Sequence, residues 1–166
     1  DYMSLPDAER ILLSRSLYMD GLLMARIAEE KGGSSVISAW PKIQRTMKTI
    51  MRLEHGYVEF YGAYRTIAIA NTRMPAIFGD RKLAFEYFTT IIDYTDVGNG
   101  RSSFVANNLF FSELLFKMKK PEEGCAQLTL VTTATRAEVE QAAPEFVYES
   151  LNTIEQAKEV FADKCQ

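Results

Sequence analysis

Apolar residues recur along this chain at helical spacing almost throughout, and the strict alternation of a half-buried strand hardly appears. That periodicity predicts an all-α fold. The punctuation agrees with it. A first helix from Pro6 to Lys31 carries Ile11, Leu12, Leu13, Leu17, Leu22, Leu23 and Ile27 on a broad face expected to be buried and stops at Gly32-Gly33. A second starts near Ser38, with Pro41 in its first turn, and ends by Gly56. A third spans Tyr57 to Asn71, and Met74-Pro75 favours a break after it. Asp80 caps a fourth that reaches Tyr94, and Ser102 or Ser103 caps a fifth that reaches Met118. Pro121 and Pro144 open the sixth and seventh. "LTLVTTAT", at 128–135, is rich in β-branched residues but has no second strand to pair with, so it is read as part of helix six. About seven helices with short connections imply stacked antiparallel pairs in a single domain over residues 1–166.

Composition narrows the function. A 47% apolar chain with a formal charge of −3 can build a core, and it lacks the cationic surface that tracks nucleic-acid phosphates. Charged residues interrupt every apolar stretch before it reaches membrane-spanning length. His55 is the one histidine in the chain, which excludes a zinc site with two histidine ligands and a di-iron helical bundle. It is read as a cap at a helix end. There is no Gly-x-Ser-x-Gly elbow, and "GNGRSS" lacks the lysine of a P-loop, so neither a catalytic nucleophile, a cofactor nor a metal is expected. Glu86, Asp93 and Asp96 leave open a magnesium-dependent enzyme, although Asp93 and Asp96 sit where aspartates serve as turn formers.

The stretch "GDRKLAFEYF", at 79–88, is more specific. Gly79 and Asp80 suit a tight turn, Ala84 permits close approach of a neighbouring helix, and Phe88 fills the gap one turn later. It resembles the second helix of a tetratricopeptide repeat, with Tyr61-Gly62 in the first-helix position. The inserted "NTRMPAIF" before Gly79, and Pro144, Leu151-Asn152 and Ala157 in that order on the last helix, make the chain resemble the T component of tripartite ATP-independent periplasmic (TRAP) transporters over residues 36–163. That resemblance implies a non-enzymatic, periplasmic, lipid-anchored accessory protein whose partner is the transporter's periplasmic substrate-binding protein. It implies also self-association and a groove for a small organic-acid or apolar ligand, with the membrane reached only through a lipid anchor outside this chain. A cytosolic tetratricopeptide adaptor for a peptide tail is the alternative.

The chemistry of helices three and five offers residues for such a groove. Tyr57, Phe60, Tyr61 and Tyr64 cover more of helix three than one buried stripe needs, and Arg65 can hold a carboxylate or stack on a tyrosine. Its alternatives are a surface arginine or a pair with Glu59 or Glu86. Asn108 and Ser112 form a polar stripe on the apolar fifth helix, and either a bond to neighbouring helices or a ligand contact would satisfy it. Tyr61, Tyr64, Arg65 and Asn108 are therefore the candidate ligand-facing set. If helices six and seven are antiparallel, Cys125 and Cys165 lie at the same end of the pair, and a disulfide between them would contribute about 3–4 kcal/mol. Such a bridge points to an oxidising compartment.

Overall fold

The computed structural model describes residues 4–53, 58–75 and 77–165. Among them are eight α-helices, packed largely as sequential antiparallel pairs, and no sheet. A lone β-bridge joins Asp96 and Ser102. The chain divides into two compact units, residues 1–67 and 68–166.

The first unit is a helical hairpin with the start of a third helix. Helices α1 (Asp7–Lys31) and α2 (Gly33–Arg52) are joined by one residue, Gly32, whose φ of +99° is open to glycine at little cost. Because that single residue reverses the chain, α2 begins five residues before Ser38, the expected start. Pro41 consequently lies inside α2 rather than in its first turn, on an exposed part of the helix. The seam between the two helices is narrow. Gly21 of α1 lies under Met47, and a Cβ there would sit 2.3 Å from the methionine methyl. Ile43, Met47 and Ile50 of α2 and Tyr18 and Ala28 of α1 are buried, each large side chain contributing about 1.5–3 kcal/mol. Three residues of the face expected to be buried, Leu12, Leu23 and Ile27, instead stay exposed along α1, as does Met19, because α2 covers only one side of the helix within this unit.

The third helix departs from expectation. Helix α3 spans Gly62–Arg73 instead of starting at Tyr57, and Glu59, Phe60 and Tyr61 before it have φ of 53°, 51° and 62°. Three successive side-chain-bearing residues in the left-handed region cost about 1–2 kcal/mol each. Local bonds hold them: Arg65 Nη1 donates to the carbonyls of Glu59 and Phe60, both at 3.2 Å, and the Gly62 amide donates to Val58 O at 3.0 Å. Gly62 meets Tyr18 so closely that a Cβ would lie 2.5 Å from the ring. Phe60 and Tyr61 thus precede the helix, only Tyr64 of the aromatic set lies on it, and Tyr57 and His55 are outside the described residues.

The second unit is built from α4 (Arg81–Thr95), α5 (Ala106–Lys117), α6 (Pro121–Thr132), α7 (Arg136–Ala142) and α8 (Val147–Lys164), with the C-terminal part of α3. Asp80 caps α4 by accepting from the Leu83 amide at 2.9 Å, and Asn71 Oδ1 accepts from the Asp80 amide at 2.9 Å. Gly79 is pressed on α3, where a Cβ would meet the Asn71 carbonyl at 2.6 Å. Ala84 and Phe88 are wholly buried, with Ile91 one turn on. Helix α5 ends in a Schellman turn, in which the Lys120 amide reaches Leu115 O and the Lys119 amide Phe116 O. Its left-handed position is held by Lys119, φ 61°, where glycine is the usual residue. Pro121 then opens α6, in which the β-branched run is helical as far as Thr132; Ala134 and Thr135, expected in the same helix, lie beyond its end.

A further helix, not expected from the sequence, stands between α6 and Pro144. Thr135 and Glu138 form a reciprocal capping box that starts the separate α7, and Pro144–Phe146 make a short 3-10 turn into α8. This is why the helices number eight rather than seven. Val105, Leu128, Val131, Val139, Ile154 and Ala157 bring α5 to α8 into one core. Cys125 on α6 and Cys165 after α8 are joined by a disulfide.

Candidate functional site

The second unit carries a solvent-open cleft of about 400 Å³, lined by the loop after α4 and by α7. Ligand sites are concave and mostly apolar with a few placed polar groups, and this cleft is more mixed, with Arg101, Glu138 and Gln141 among its valines and alanines. Its loop begins at Asp96, whose Oδ1 accepts from the amides of Gly98, Asn99 and Gly100 at 2.9, 3.1 and 2.8 Å. These bonds, that to Gly98 foremost, hold the Asp96 carboxyl below its usual pKa. The loop closes on itself through Val97 N to Arg101 O at 2.9 Å and Arg101 N to Asn99 Oδ1 at 3.1 Å.

Asn108 fixes this loop from behind. It is fully buried; its Oδ1 accepts from the Ser102 amide at 2.8 Å, and its Nδ2 donates to Gly100 O at 3.0 Å and Gln127 Oε1 at 2.7 Å. Ser102 Oγ accepts from Asn107 Nδ2 and from the Phe104 amide. Thr95 Oγ1 gives its proton to Ile91 O, so Ser102 is the donor in their 2.7 Å contact. Ser112 bonds Leu109 O within α5. The polar stripe of α5 therefore holds protein to protein, and of the two readings of Asn108 the structural one describes its geometry.

Charge enters the cleft at Arg101, whose side chain is 9% exposed and whose Nη2 donates to Glu138 Oε1 at 2.7 Å. Glu138 Oε2 accepts from the amide and hydroxyl of Thr135 at 2.8 and 2.9 Å. Those backbone and side-chain bonds lower its pKa to about 2, with Thr135 N–H the largest cause and Arg101 the next. Val97, Val105 and Val139 supply apolar wall.

The remaining candidates lie elsewhere. Tyr61 and Tyr64 pack edge to face in the first unit, ring centroids 5.8 Å apart. Arg65 is buried rather than on the surface, and besides its two carbonyls it donates to Tyr18 Oη at 3.2 Å. Its bonds organise the left-handed turn. Glu86 and Asp93 are exposed and Asp96 is bonded to its own loop; no group of three metal-ligating side chains occurs among the described residues. The sequence alone does not mark Arg101 and Glu138 as a pair. "TRAE", 135–138, fits the capping-box pattern and could have placed Glu138 at a helix start; nothing local pairs it with Arg101.

The fold defines an all-α protein with a small mixed-polarity cleft, and no helix among the described residues is long and apolar enough to cross a membrane. The chain matches no protein-family model, no curated protein and no solved structure.

Proposed function

We propose that this chain is a non-enzymatic extracytoplasmic helical-repeat protein of the TRAP T-component type, associating with the periplasmic substrate-binding protein of its transporter. The tetratricopeptide-like reading draws support from the nested turn at Gly79, where α4 starts against the end of α3 with Ala84 and Phe88 buried. The observation that carries the choice over a cytosolic adaptor is the Cys125–Cys165 disulfide, because such bonds persist in oxidising compartments and are rare in the cytosol. The lipid anchor and the self-association belong to the same reading. The cleft is mixed in polarity, and its polar groups are largely bonded to one another, an arrangement suited to holding a ligand rather than transforming one.

Sedimentation of the purified chain with the substrate-binding subunit of a TRAP transporter from the same organism tests this. A joint boundary is the expected result; independent boundaries at all ratios would sink it. Two free thiols in protein purified without reductant would return the chain to the cytosolic-adaptor reading.

A further inference from the structure

The cleft of the second unit contains a cation and an anion side by side, which limits what it can bind. Arg101 and Glu138 face the same hollow, bonded through one nitrogen and one oxygen. Among the described residues, Arg101 Nε and Nη1 donate to no protein acceptor, and neither atom is sealed from solvent. Glu138 Oε1 accepts from Arg101 alone, which leaves it a second acceptor site. A simple carboxylate guest would gain Arg101 but stand beside the Glu138 charge, and a simple amine would meet the converse penalty. A guest with both charges adjacent can lie head to tail along the ion pair and satisfy the two at once.

We infer that this cleft binds a small aliphatic α-amino acid, its carboxylate on Arg101, its ammonium on Glu138 and its side chain against Val97, Val105 and Val139. The dimensions agree, since the hollow of about 400 Å³ lies at the small end of ligand sites. The carboxylate of Glu138 is ionised across the physiological range, because Thr135 and Arg101 hold its proton affinity low. Asn108, Asp96 and the Thr135 cap are positioning residues: they fix the loop and the helix start from which the two charges project. The inference is independent of the transporter assignment.

Titration of the isotopically labelled full chain, followed by amide NMR, tests it with leucine, valine, isocaproate and isoamylamine. Leucine or valine should give saturable shifts at 97–103 and 135–142, with isocaproate and isoamylamine weaker by about tenfold or more, as expected of a site built to bond groups they lack. Glu138→Gln preserves the capping box, since glutamine serves at that position; it should erase the preference for leucine over isocaproate. Arg101→Met should abolish binding, and its spectrum without ligand reports whether it folds. Absence of saturable shifts with either amino acid, shifts confined to other regions, or isocaproate binding as tightly as leucine would each overturn the inference.

Discussion

The two compact units are stabilised in different ways. The first relies on two long helices with a thin seam, leaves Leu12, Met19 and Leu23 exposed on α1, and contains a left-handed turn held by Arg65. The second uses mostly shorter helices, with side-chain caps at the starts of α4 and α7 but none at α5, where Val105 rather than the expected Ser102 or Ser103 precedes the first turn, a buried polar network around Ser102 and Asn108, and a covalent tie from α6 to the end of α8. Long helices gain order from many internal hydrogen bonds and can leave one face unused. Short helices are marginal alone, so their stability has to come from contacts distant in sequence.

Substitutions can break that comparison. The largest contrast is expected between Phe88→Ala, which empties a fully buried site in the second unit and should cost about 3–5 kcal/mol, and Leu23→Ala. Leu23 is 60% exposed, and its loss should stay within about 0.5 kcal/mol by urea unfolding. A comparable cost for both would show that α1 is covered by something. The disulfide closes a loop of 40 residues, so a Cys125→Ala, Cys165→Ala double variant should lose about 4 kcal/mol in the loop-entropy model. Amide exchange should rise in α6 and α8. An equal rise in α1 and α2 would remove the distinction between the units.

Arg65 tests the first unit. Its carbonyl bonds are charge-assisted, and Arg65→Met should cost about 2–3 kcal/mol, read as lost protection in the first turn of α3. Unchanged stability would leave the left-handed turn without its explanation. Smaller effects of opposite sign are expected at two helix ends of the second unit. Asp80→Ala removes the α4 cap and should cost about 1 kcal/mol. Lys119→Gly relieves a left-handed residue and should gain roughly 0.5 kcal/mol, both read from urea midpoints.

Acid titration gives the finest distinction. The Glu138 carboxyl is at about 2 in the folded chain against an ordinary 4.5, so the unfolded chain takes up that proton first. Its stabilising effect is complete above 4.5 and is lost as pH falls from there through about 2. Asp96 is shifted in the same direction and acts on the same acid limb. Glu113 is a third: burial opposes its ionisation, but bonds to Arg73 and Lys117 prevail and hold its pKa below normal. Loss of protection should begin, on acidification, in the 96–103 loop and at the start of α7. In Glu138→Gln that loss at α7 should be absent.

The resemblance to a transporter component rests on sequence alone, and the fold speaks only to the local expectations. Asp80, Pro121 and the Gly79–Phe88 spacing were legible because caps, first-turn prolines and close approaches are local demands with few residue types able to meet them. The role of Tyr61 was not legible. Its place depends on three left-handed residues, and those depend on Arg65 folding back and on Gly62 meeting a ring on α1. Arg101 and Glu138 were equally silent, being 37 residues apart in sequence.

By itself the sequence determined that the chain is helical, where α1, α4 and α6 begin, and that Ala84 and Phe88 belong inside, since periodicity and capping act within a turn or two. Only the tertiary structure decided that Asn108 is a structural strut, that Arg65 is a clamp for strained backbone, and that an arginine and a glutamate share one cleft. Those outcomes depend on side chains meeting across distant segments, where burial makes each unmet hydrogen bond or charge costly, and no local pattern records which partner will be there.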